Sequence, residues 1–74
     1  MNIKLEKFNS GWIGLSIAFS VEDIDVMIER LNDLKSGSID HFHFRNNDFE
    51  ADSGVADIEV TRATEGDHDN MIIE

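Results

Sequence analysis

Residues 2–8 alternate in character, with Ile3 and Leu5 on one side and Lys4 and Glu6 on the other, which predicts an edge-tolerant strand. Asn9-Ser10-Gly11 then reads as a turn. Residues 12–19 alternate again, placing Ile13, Leu15, Ile17 and Phe19 on one face and Gly14, Ser16 and Ala18 on the other. The two runs together predict a hairpin. At Ser20 the period changes. Val21, Ile24, Met27, Ile28, Leu31 and Leu34 recur at helical spacing. Ser20 is placed to cap this helix, with Asp23 at the capping-box position. Glu22, Asp23 and Asp25 sit at the positive end of its dipole, Lys35 at the negative end, and Gly37 at its stop. The helix is expected over 21–35.

The remainder reads as strands and turns. Residues 39–45 set Phe42 and Phe44 against His41 and His43. Residues 46–54 form a polar loop. Residues 55–63 set Ile58 and Val60 against Asp57, Glu59 and Thr61. An acidic turn follows over 64–69, then a short final strand from Asn70 to Glu74. The predicted fold is a single α+β domain over 1–74: an antiparallel sheet in the order ββαβββ, with one helix packed on one face. Its core is predicted to contain Ile13, Leu15, Ile17, Ile24, Met27, Ile28, Leu31, Phe42, Phe44, Ile58 and Val60.

Charge changes the picture more than composition does. The chain of 74 residues carries a formal net charge of -10. Residues 1–39 hold six acids and four bases, a net of -2, whereas residues 40–74 hold ten acids and two bases, a net of -8. Such a surface disfavours nucleic acid and anionic membrane and favours a basic partner or a bound cation. The hydrophobic share of 41% is enough for a folded core. With no cysteine, disulfides and thiolate metal sites are ruled out. The N-terminal MNIKLEKF lacks the apolar run of a signal peptide, so a cytoplasmic location is expected. A chain this small also gains stability from association, so a homodimer is among the expectations.

Three features could carry chemistry. If the second hairpin pairs symmetrically, His43 lies opposite Asp57 and His41 opposite Glu59 on an uncovered sheet face, a possible first-row metal ligand set. Cross-strand His–carboxylate contacts are the favoured account of that pattern, because H-x-H is common in strands and a solvated sheet face is not a shaped site, so no tight metal site and no cofactor are expected. The loop acids Asp48, Glu50 and Asp52, with Glu59, fall at calcium-loop positions one, three, five and twelve. Position six holds Ser53 instead of glycine, and the flanks are strands instead of helices, so an EF-hand is not expected. Weak cation binding by this loop or by the His41/His43 face is the alternative function. Trp12 opens the second strand on its polar side, which predicts a rim position suited to anchoring a partner. No serine sits in a nucleophile elbow and no glycine-rich phosphate loop occurs, so an enzyme is not expected.

The helix SVEDIDVMIERLNDLKSG, the strand IDHFHF and the strand GVADIEV resemble, in their arrangement, small acidic immunity proteins of bacterial toxin–immunity systems. That resemblance implies an acidic surface that masks a basic toxin, often a nuclease. The same charge would suit an inhibitor that imitates DNA. The leading expectation is therefore a non-enzymatic binding protein or inhibitor. It would engage a basic protein, either a toxin or a nucleic-acid-binding protein, through Asp48, Glu50, Asp52, Asp57, Glu59, Glu65, Asp67, Asp69 and Trp12.

Overall fold

The computed structural model describes residues 1–47 and 54–74. Strands β1 (Asn2–Lys7) and β2 (Ile13–Ala18) pair antiparallel, Leu5 facing Leu15 and Ile3 facing Ile17. The turn between them closes through Phe8 N–H donating to the Trp12 carbonyl at 3.0 Å and Gly11 N–H donating to the Phe8 carbonyl at 3.1 Å. Gly11 has φ 92°, a left-handed conformation that glycine adopts without steric cost. On the outer face the Phe8 ring lies against Gly14, where an added Cβ would stand 3.2 Å from the ring edge.

Helix α1 (Val21–Ser36) begins and ends where the sequence signals. The Ser20 hydroxyl accepts from Asp23 N–H at 3.0 Å, and Ser20 N–H donates to the Asp23 carboxylate at 3.3 Å. The shorter aspartate thus closes a capping box as glutamate usually does. At the other end Gly37 takes φ 85°, and the N–H groups of Gly37 and Ser38 both donate to the Asp33 carbonyl, at 3.1 and 3.0 Å. Orphan carbonyls of the last turn are satisfied in this way.

Strands β3 (His41–Arg45) and β4 (Asp57–Thr61) form the second antiparallel pair. Phe42 faces Val60 and Phe44 faces Ile58, all four half-buried. The Phe44 ring meets Phe42 and Phe19 edge-on, at centroid distances of 5.7 and 6.1 Å. Arg62 reaches from beyond β4 to the helix C-terminus, donating to the Lys35 carbonyl at 3.3 Å. A cation there complements the negative end of the helix dipole.

The α+β class holds, and four expectations are corrected. The element order is ββαββ, because Asn70–Glu74 forms no strand. A strand needs a ladder partner, and Met71, Ile72 and Ile73 stand exposed beside none. The four strands form two separate two-stranded sheets instead of one. Alternation marks which residues share a face, but it does not choose which strands become neighbours. The register of the second hairpin is shifted by two from the symmetric pairing: His43 faces Glu59, Arg45 faces Asp57, and His41 faces Thr61. A shift of two keeps every side chain on its predicted face, so the pattern of faces is blind to it.

The predicted single core is the fourth correction. Met27, Phe42, Phe44, Ile58 and Val60 are half-buried, but Ile13, Leu15, Ile17, Ile24, Ile28 and Leu31 remain exposed. Among the described residues only Leu34 is buried, at 7% exposure. The stripe on α1 and the inner face of the first hairpin are real, but nothing among the described residues covers them fully. The accessible surface of 6982 Å² exceeds the roughly 4,600 Å² expected for a folded monomer of this mass. The radius of gyration, 14.4 Å, exceeds the expected value of about 11 Å.

Candidate functional site

The outer face of β3–β4 gathers a cluster of histidines and carboxylates. Strand alternation puts His41 and His43 on one face of β3, with ring centroids 5.1 Å apart and planes at 88°. Pairing brings Glu59 directly opposite His43. One ligating atom from each of His41, His43 and Glu59 lies within 4.8 Å of the other two.

Two further carboxylates orient the rings. The His41 Nδ1 lies 2.6 Å from Asp40 Oδ1. The His43 Nδ1 lies 3.0 and 3.1 Å from the two oxygens of Asp57. Asp57 faces Arg45 across the ladder and reaches His43 diagonally; its Oδ1 also lies 3.5 Å from Arg45 Nε. The hydrogen bond with His41, followed by the attraction of that ring's charge, holds the Asp40 carboxyl below its ordinary value. His43 is the less exposed of the two rings, at 22% against 46% for His41. The expected His43–Asp57 contact therefore exists, as a diagonal rather than a directly opposed pair. Glu59 joins the cluster beside His43, where symmetric pairing would have set it against His41. Asp40 was not singled out in the sequence; its position next to His41 was the available signal.

The other expected contact residues are arranged differently. Asp57, Glu59, Glu65, Asp67 and Asp69 are all exposed. Asp67 has a local task, because its carboxylate accepts from Thr64 N–H at 2.7 Å and from the Thr64 hydroxyl at 3.3 Å, holding the 64–67 turn closed. Glu65 and Asp69 make no hydrogen bond or ion pair among the described residues, so their charge is available to a partner. Trp12 is 78% exposed, as its rim position predicts. It stands in the turn just before β2, in the first hairpin and not in the β3–β4 pair that carries the His–carboxylate cluster. Asp48, Glu50 and Asp52, together with the calcium-loop reading built on them, lie outside the described residues.

A cleft of about 280 Å³ runs between α1 and β3, lined in part by Met27 and Arg30 from the helix and by Phe19, Phe42 and Phe44. That is at or below the lower end of small-molecule sites, roughly 300–1,000 Å³. Beside it the Met1 ammonium lies 2.8 Å from Asp23 Oδ2. Among the described residues no helix is long and apolar enough to cross a membrane. No protein-family model matches the chain, and neither the curated proteins nor the solved structures provide a match.

Proposed function

We propose that this chain is a non-enzymatic acidic binding protein that engages a basic protein partner, in the manner of an immunity protein or a DNA-mimicking inhibitor. The observation that carries the reading is the segregation of charge, a net of -8 over residues 40–74 against -2 over residues 1–39. A surface of one sign gains free energy only as opposite charge approaches. The resulting attraction steers encounter and speeds association, and salt screens it over a Debye length of about 8 Å at physiological ionic strength. Glu65 and Asp69, uncommitted within the described residues, are the carboxylates with most to offer; Asp48, Glu50 and Asp52 extend the acidic run.

The test begins with the immobilised chain, a lysate of the source cells and stepwise elution with salt, followed by mass spectrometry. A basic protein that elutes as salt rises and rebinds in purified form supports the reading. The candidate must also bind the Glu65→Gln/Asp69→Asn variant more slowly. Capture of acidic or neutral proteins whose binding is indifferent to salt would overturn it.

A further inference from the structure

We propose that the β3–β4 face is a binding site for one divalent first-row cation of the zinc type, held by His41, His43 and Glu59. The inference does not rest on the partner-binding reading. Two imidazoles and one carboxylate form a ligand set that zinc accepts in sites with an open position. Two donors each about 2.1 Å from an ion are at most about 4.2 Å apart. The three donors here already lie within 4.8 Å of one another. Small rotations of surface side chains close the difference.

The stronger reason is what stands behind the rings. A metal-binding histidine usually gives its other N–H to a carboxylate, which fixes the tautomer and the ring direction and raises the ligand's basicity. Both rings have that support: Asp40 lies at His41 Nδ1 and Asp57 at His43 Nδ1. With Nδ1 engaged by a carboxylate, Nε2 is the nitrogen each ring has left for an ion. The expectation of no tight site rests on a solvated sheet face not being a shaped site. The observed register supplies the support, because it leaves Glu59 beside His43 and sends Asp57 diagonally behind it. Imidazole ligands favour zinc, copper or nickel over calcium, which separates this site from the all-carboxylate loop at 48–52.

The experiment titrates the full chain with zinc chloride by calorimetry, alongside thermal melting. One zinc per chain, saturable binding and a raised melting temperature are expected. His41→Ala or His43→Ala should lower affinity at least tenfold, and Asp57→Asn, which leaves all three ligands in place, about 10- to 100-fold. His68→Ala and the Asp48→Asn/Glu50→Gln/Asp52→Asn variant should bind as the parent does. Excess calcium should not displace the zinc. The proposal is overturned by the absence of saturable binding, by affinity that survives His43→Ala, or by loss of binding in the loop variant. Because His41 and Glu59 are exposed, circular dichroism of their variants should match the parent and separate lost ligation from lost folding.

A different observation carries a second proposal: the apolar face of the first hairpin and α1 binds a second copy of this chain. Its apolar residues include Leu15, Ile17, Ile24, Ile28 and Leu31, exposed by 37–55%. β2 runs Ile-Gly-Leu-Ser-Ile-Ala, an edge strand with neither charge nor proline to discourage pairing with a neighbouring chain. A second copy fits better than a basic partner here, because this half of the chain is near neutral and the acidic half can point away from its counterpart.

Sedimentation equilibrium of the full chain tests this. A mass twice the 8.4 kDa chain is expected, falling to one chain in Ile13→Lys/Ile28→Lys. Those residues are 61% and 55% exposed in the single chain, so the variant should keep its helix by circular dichroism. A monomer across the full concentration range, or a dimer unaffected by the variant, would overturn the proposal.

Discussion

Leu34→Ala should be the most damaging leucine truncation in α1, well ahead of Leu31→Ala. The two leucines occupy the same stripe one turn apart, yet Leu34 is 7% exposed and Leu31 44%. Fully burying a leucine side chain is worth about 1.5–3 kcal/mol. Nearly all of that applies to Leu34, and the void left by truncation adds to it, giving a loss of about 2–4 kcal/mol. At Leu31 little more than half of the side chain's surface is hidden and water can fill the vacated space, so the loss is about 1–1.5 kcal/mol. Alanine's helix propensity is shared by both variants and cancels in the comparison. Urea unfolding followed by helical circular dichroism, at a concentration where the chain is monomeric, measures both. An equal or larger loss at Leu31 would refute the assigned burial. If the second copy covers the stripe, the Leu31 loss should grow with protein concentration while the Leu34 loss changes little.

Three other outcomes follow from local geometry. Ser20→Ala removes the hydroxyl that accepts from Asp23 N–H and should cost about 1 kcal/mol, read as a lower melting temperature; an unchanged melt would mean the cap is idle. Gly37→Ala meets no steric neighbour but must hold φ 85°, so a cost of about 1–2 kcal/mol is expected from backbone conformation alone, and no cost would contradict the left-handed cap. The Asp23 carboxyl is held below its ordinary value, first by the hydrogen bond with the amino terminus and then by those with Ser20. Its contribution to stability is therefore complete above the ordinary carboxylate range and is lost as pH falls through the depressed value. Asp23→Asn should shrink that acid-side loss in a pH series of melts, and an identical acid profile would count against the assignment.

Local signals in this chain were legible and non-local ones were not. Ser20, Asp23 and Gly37 define the helix because capping depends on residues three or four apart. The alternation of His41, Phe42, His43 and Phe44 assigned faces correctly because side chains alternate along any strand. Register escaped because pairing His43 with Asp57 or with Glu59 satisfies the same alternation. The support that Asp57 gives His43 is diagonal and depends on that register, so the donor set could be guessed but not its arrangement. Separation into two sheets and the missing final strand depend on which edges meet, which alternation does not encode. The apolar stripe of Ile24, Ile28 and Leu31 marks one face of the helix, but periodicity does not say whether that face is covered, and in the structure these three residues remain exposed.

The charge segregation makes its sharpest demand on association kinetics. Stopped-flow mixing of the captured basic partner with the parent chain and with Glu65→Gln/Asp69→Asn, from low to physiological ionic strength, measures it directly. The steering account predicts a fast parental rate that falls steeply with salt, and a variant that is slower at low salt with a shallower dependence. Identical rates and identical salt slopes for the two proteins would contradict it and leave the carboxylates of this half as a solubilising surface.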